Sequence, residues 1–146
     1  MDSRLIADIK QAEGFSLKAY KDTKGLWTIG YGHLLPDQSK DYSQYTITQI
    51  EADEFLKEDI TLAGLKCLKL PEWPSLDTSC RKNAVIELVF NLGDKWKQFA
   101  KTRLDIQNKE WKKAHDDLLD SLWAKEVGST RSNRLANYLL TGEYTS

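Results

Sequence analysis

The chain reads as an α+β protein, mostly helical, with one small antiparallel sheet near its N-terminus. Three observations predict this. Only residues 16–36 are rich in strand formers: Tyr20, Trp27, Ile29 and Tyr31 flank the turn sequence Asp22-Thr23-Lys24-Gly25. Thr48-Gln49-Ile50-Glu51 has the form of a capping box, in which the Thr hydroxyl accepts from an amide of the first turn and the Glu reaches back. From there to Gly142, apolar residues recur at helical spacing. The β region is therefore segregated at one end of a helical chain.

The elements follow in order. Residues 3–12 form a short helix with Leu5, Ile6, Ile9 and Ala12 on one side, and Gly14 fits a left-handed stop. Two or three short strands occupy 16–36, and 36–47 is a polar loop. A helix over about 48–66 carries Ala52, Phe55, Leu56, Ile60 and Ala63, and Leu70-Pro71-Glu72-Trp73-Pro74 breaks it. A further helix over 77–92 stops at Gly93. Short helices are expected at 96–99 and 102–107, a continuous one over 109–124, and a last one over about 130–140 that stops at Gly142. The tryptophans at 27, 73, 96, 111 and 123 are mostly core candidates.

Composition narrows the class. A chain of 146 residues builds one domain, or two small lobes that share a core. No apolar run approaches the roughly 20 residues that span a bilayer. The first 14 residues alternate charge with apolar side chains, so no signal peptide and no stable membrane insertion are expected. Cys67 and Cys80 read as free, buried thiols, and no Cys/His cluster suggests a metal. Lys and Arg number 21 against 22 Asp and Glu, which argues against a nucleic-acid module. The local clusters Lys95, Lys97, Lys101, Arg103 and Lys109, Lys112, Lys113 read as solvated helix faces.

Residues 13–33 carry the chemistry. Glu13 ends the first helix, where the negative end of the helix dipole disfavours a carboxylate and suits a general acid. Asp22 sits in a polar turn beside Lys21 and Lys24, which favours its ionised form. Thr28 follows on the next strand, with a hydroxyl able to hold a water. Two carboxylates in different surroundings, one acid and one ionised, are what glycoside hydrolysis requires.

Taken together, Glu13-Gly14, Tyr20, Asp22, Gly25, Thr28-Ile29-Gly30 and Gly32-His33 resemble the active-site segment of the phage lysozymes of the T-even type, a glycoside hydrolase family. The resemblance continues in order: Ile50-Glu51-Ala52 and Asp59 fall at the inter-lobe helix, 75–93 at the central helix, and Ser121-Leu122-Trp123, 130–134 and Thr141-Gly142 at the last helices. It implies one lysozyme domain over 1–146, two-lobed, with a small β-containing lobe at 13–60 and a helical lobe at 75–146 joined by helix 1–12. It also implies cleavage of the β-1,4 bond between N-acetylmuramic acid and N-acetylglucosamine in peptidoglycan, with inversion. The carboxyl groups would then stand roughly 6.5–9.5 Å apart, leaving room for a water.

Carried over residue by residue, Glu13 matches the general acid, Asp22 the second carboxylate and Thr28 the residue that helps place the water. Tyr20, Leu34, Phe90 and Asn91 match substrate-binding positions. Arg131 or Arg134 resembles the arginine that pairs with the glutamate, and His33 with Asp59 resembles a buried structural pair. The family uses no cofactor. A monomeric endolysin would be made in the host cytoplasm, released through a holin lesion, and act on the wall in the periplasm or outside.

The chain departs from the family pattern in places. Only residues 34–47 separate His33 from Thr48, which trims the small lobe, and Ala12 stands where the family has an acid. The net charge of −1 weakens attraction to an anionic wall. The competing readings are a lytic transglycosylase, which needs only the acid, a tail-associated or effector enzyme with the same chemistry, and a degenerate fold that binds glycan or protein.

Overall fold

The computed structural model describes residues 2–144. Helix α1 (Ser3–Ala12) starts at Asp2, whose carboxylate accepts from the amides of Arg4 at 2.8 Å and Leu5 at 3.2 Å. Its stop differs from expectation. Glu13 turns to extended backbone at φ −92° and ψ 151°, and Gly14 does not adopt a positive φ. The helix therefore unwinds directly into β1 (Ser16–Lys21) without a left-handed cap.

Strands β1, β2 (Trp27–Gly30) and β3 (His33–Leu34) form an antiparallel sheet in the order β1-β2-β3. Tyr20 faces Thr28 and Lys21 faces Trp27 across the first pair; Thr28 faces Leu34 and Ile29 faces His33 across the second. The register slips between Ser16 and Tyr20, which bends β1. The loop after β3 is more ordered than its polar sequence suggests. Ala19 N donates to Tyr45 O, Ile47 N donates to Leu17 O, and Lys18 bridges Thr46, so residues 45–47 cover the free edge of β1. Gln38 braces the other side: its amide donates to the carbonyls of Trp27 and Leu35 and accepts from Trp27 N.

Helix α2 (Gln49–Cys67) begins at the expected capping box. Glu51 N donates to Thr48 Oγ1 at 3.2 Å, and Glu51 Oε1 accepts from Thr48 N at 3.1 Å. The chain divides into two compact units, one ending at Leu62 and one starting at Ala63. In the first, Ala19, Ile29, Leu35, Ile47 and Ala52 form the apolar centre, with Trp27, Tyr31, Tyr42 and Phe55 around it. Gly30, at φ +64°, lets the sheet lie on α2: a Cβ there would meet Ala52 Cβ at 3.5 Å.

The second unit is helical. A 3-10 turn at Trp73–Ser75 follows the proline break, then come α3 (Ser79–Leu92), a 3-10 segment at Gly93–Gln98, α4 (Ala100–Gln107), α5 (Trp111–Leu119), α6 (Leu122–Val127) and α7 (Ser129–Thr141). The expected single helix over 109–124 is two. Ser121 Oγ donates to Leu118 O and accepts from Ala124 N, so it closes α5 and caps α6. Gly93 and Gly142 end their helices with positive φ, as expected. Arg81 approaches Gly142 so closely that a Cβ there would stand 3.0 Å from its guanidinium, which donates to the carbonyls of Leu139 and Leu140.

The core of this unit gathers Leu88, Trp96, Ile106, Leu118, Trp123, Leu135, Tyr138 and Leu139. Trp96 and Trp123 are buried, while Trp73 and Trp111 pack against the core from its edge. One basic cluster is not simply solvated. Arg103 reaches the fully buried Glu72 with two hydrogen bonds, of 2.8 and 3.1 Å, and Trp96 Nε1 donates to the same carboxylate. Both cysteines are free and buried. Burial pushes the Cys67 thiol up to about 12, and the charge of Glu72 adds to it.

Between α4 and α5, Asp105 Oδ2 is the one buried side-chain atom among the described residues without a hydrogen-bond donor. Desolvation, then the adjoining Asp117, then Glu110 push its carboxyl up to about 6, against a smaller opposing pull from Lys113. A proton on Asp105 would donate to Asp117 and satisfy both groups. The folded state holds that proton more tightly than the unfolded chain between the ordinary 3.8 and about 6. Stability should therefore fall as pH rises through this window. Asp105→Asn should flatten the dependence and stabilise the protein at neutral pH by on the order of 1 kcal/mol; thermal melts at stepped pH measure both.

Candidate active site

Glu13, Tyr20, Asp22 and Thr28 lie in the first unit, placed there by the end of α1 and by the first two strands. Asp22 is fastened by its own turn. Its Oδ1 accepts from Lys24 N at 2.8 Å and Leu26 N at 2.9 Å, and its own amide donates to Leu26 O. Gly25, at φ +77°, supplies the left-handed residue that the reversal needs. Oδ2 makes no protein hydrogen bond among the described residues, so the carboxylate is oriented by one oxygen and keeps the other to accept from water.

Thr28 is buried, and its hydroxyl donates to Leu26 O at 2.9 Å. The hydroxyl proton is thus committed, and the oxygen lone pairs can accept. The backbone N–H and C=O of one residue, Leu26, therefore fix both Asp22 and Thr28. Glu13 enters from the other side. Its amide still bonds to Ile9 O, while its half-buried side chain reaches the reversal between β2 and β3: a Cβ on Gly32 would stand 3.4 Å from Glu13 Oε2.

Tyr20 ties the two carboxylates together. Its phenol is held above its usual value, first by burial and then by the negative charges of Glu13 and Asp22. Both acids thus act electrostatically on one side chain, and Thr28 is its direct partner across the strand pair. Leu34 is exposed on β3 opposite Thr28.

The remaining expected residues sort differently. His33 Nδ1 lies 2.8 Å from Asp59 Oδ2, and its ring stacks on Phe55 at 4.2 Å. The pair is only partly buried, with side chains 19% and 26% exposed, not sealed as expected. Phe90 and Asn91 belong to the second unit. Phe90 packs against its core, and Asn91 Oδ1 accepts from Trp123 Nε1 at 2.8 Å. Arg131 and Arg134 also lie there, on α7, and both grip Glu87. Arg134 does so with bonds of 2.9 and 2.7 Å to its two oxygens, and Arg131 Nε with one of 3.1 Å. Among the described residues, no three His, Cys, Asp or Glu side chains gather into a metal-binding group.

Sequence reasoning missed Leu26 and Glu87, and it named Gly32 in the motif without giving it a role. Leu26 acts through its backbone and leaves no mark in side-chain identity. Glu87 had a signal, a lone acid inside an apolar helix with two arginines to match later in the chain.

Two substitutions separate site from scaffold. Gly32→Ala places a methyl against Glu13 and forces an L residue to φ +77°. A stability loss of about 1 kcal/mol is expected, with specific activity of the folded fraction falling on the order of tenfold as the carboxyl shifts. Asp59→Asn should lower the melting temperature, at a cost of about 1 kcal/mol, and leave turnover largely intact. Calorimetry and wall-digestion rates on the same samples check both.

Residues 10–137 match the Phage lysozyme family. The chain is 27% identical to a probable T4-type lysozyme of Dictyostelium discoideum, over 92% of each protein. It is 32% identical to the endolysin of Salmonella phage P22, over 86% of this chain and 84% of that one. It is also 28% identical to the pre-baseplate central spike protein Gp5 of Enterobacteria phage T4, over 94% of this chain but 28% of the longer protein. The chain belongs to the phage lysozyme family, and it is a lysozyme-type glycoside hydrolase of peptidoglycan.

Proposed function

We propose that Glu13, Asp22 and Thr28 cleave the β-1,4 bond from N-acetylmuramic acid to N-acetylglucosamine by a single displacement. Glu13 donates its proton to the glycosidic oxygen, and the C1–O bond breaks with its electron pair going to the departing N-acetylglucosamine. A water attacks C1 from the opposite face and inverts it. Asp22 Oδ2 takes the water's proton, while the Thr28 hydroxyl oxygen accepts the water's second hydrogen and aims it. Proton exchange with solvent restores both carboxyls.

The observation that carries this reading is the joint anchoring of Asp22 and Thr28 on Leu26, with Glu13 and Asp22 both acting on Tyr20. An enzyme that forms an anhydro sugar has no use for the second carboxylate or the water-placing hydroxyl. The likeness to a phage endolysin supports a monomeric lytic role, with synthesis in the host cytoplasm, release through a holin lesion and action on the wall. No helix among the described residues is long and apolar enough to cross a membrane.

Mass analysis of muropeptides released from purified peptidoglycan tests the chemistry. Wild type should yield reducing-end products, and Glu13→Gln should lower the rate roughly a thousandfold while it stays folded and bound to the wall. Asp22→Asn should also be severely impaired. Anhydro products, with Asp22→Asn still active, would move the assignment to a transglycosylase. Near-normal turnover by folded Glu13→Gln would remove Glu13 as the acid.

A further inference from the structure

The last turn of α2 presents two different ridges. Ala63 and Cys67 are buried and hold that turn to the helical unit. On the outer side Leu65, and Leu68 just past the end of the helix, are 53% and 61% exposed. Lys66 and Lys69, each next in sequence to one of these leucines, are exposed as well. These two lysines and Lys97 rim a shallow groove floored by Leu70, Val89 and Trp96, with Asp94 as the one acid on its lining.

The three ammonium groups make no ion pair or hydrogen bond among the described residues. Lys10, Lys112 and Lys113, by contrast, are each paired with a carboxylate. In a chain of net charge −1, three such cations against one acid are a local excess. A soluble anion would use the lysines and leave the leucines in water. A single-stranded nucleic acid would want an exposed ring to stack on, and Trp96 is buried. Exposed leucines beside flexible lysines match the boundary of an anionic bilayer, where the leucines enter the acyl edge and the ammonium groups meet headgroup phosphates.

We propose that the end of α2, the turn that follows it and the Gly93–Gln98 segment form a docking surface for a bilayer rich in anionic lipid. Binding is peripheral and reversible, and each lysine contributes roughly fivefold at low salt. It keeps the enzyme at the membrane face of the wall. The surface is independent of the catalytic assignment.

The test is co-sedimentation of the full chain with vesicles of phosphatidylcholine alone or with about one-third phosphatidylglycerol. Wild type should bind the mixed vesicles, release them as salt rises, and ignore the neutral ones. Lys66→Glu with Lys69→Glu should weaken binding at least tenfold. Leu65→Ser with Leu68→Ser should weaken it severalfold. Both double variants should melt and digest purified peptidoglycan as wild type does, since all four residues are exposed and remote in sequence from the catalytic set. No binding by wild type, equal binding to neutral vesicles, or unchanged binding by either variant overturns the proposal. Loss in the lysine variant alone would assign the surface to a soluble polyanion instead.

Discussion

The backbone of Leu26 is the constraint on which the proposed catalytic geometry depends. Its N–H donates to Asp22 Oδ1, and its carbonyl accepts from both Asp22 N and Thr28 Oγ1. A carboxylate at the tip of a hairpin would otherwise swing with its side-chain rotamers, and a threonine hydroxyl would rotate. Here three hydrogen bonds to the backbone of one residue fix both, and they leave one carboxylate oxygen and the hydroxyl lone pairs for the water of the proposed reaction. The sheet around them is small, so it is braced from outside: residues 45–47 pair with β1, Gln38 clamps the backbone of Trp27 and Leu35, and Gly30 lets the sheet lie on α2. Preorganisation of this kind removes a reorganisation cost from the reaction step.

The helical unit relies on a different device, buried carboxylates surrounded by donors. Glu72 receives Trp96 and Arg103, and Glu87 receives Arg131 and Arg134. Such pairs add little net stability relative to apolar packing, but deleting one partner strands the other and costs about 3–5 kcal/mol. Their effect is to fix orientation. Glu72 pins the break after α2 to the core tryptophan, and Glu87 locks α7 against α3 in one rotational setting.

Much of this was legible in the sequence because it rests on local rules. The capping box at Thr48 and Glu51, the glycine stops at 93 and 142, and the Asp22 turn each follow from side chains within four residues of one another. Glu13, Asp22 and Thr28 were singled out by the resemblance of their segment to the phage lysozyme active-site string, since a helix end and a hairpin turn alone mark such residues only weakly. The failures were local contests decided by a single group. Ser121 divides one apolar pattern into two helices, and Glu13 leaves α1 in extended form although Gly14 could have capped it. That Arg103 reaches Glu72, and that Arg131 and Arg134 reach Glu87, was not legible, since a pairing over 31 to 47 residues depends on how helices pack and not on spacing.

The central claim is that Asp22 and Thr28 direct a water onto the sugar, and that Asp22 does not attack it. Proton NMR of a soluble glycan oligomer during the first minutes of digestion reads this directly, before the anomers equilibrate. The account predicts that the newly released N-acetylmuramic acid end appears first as the α anomer. Initial appearance of the β anomer would mean two displacements through a covalent intermediate and would contradict it.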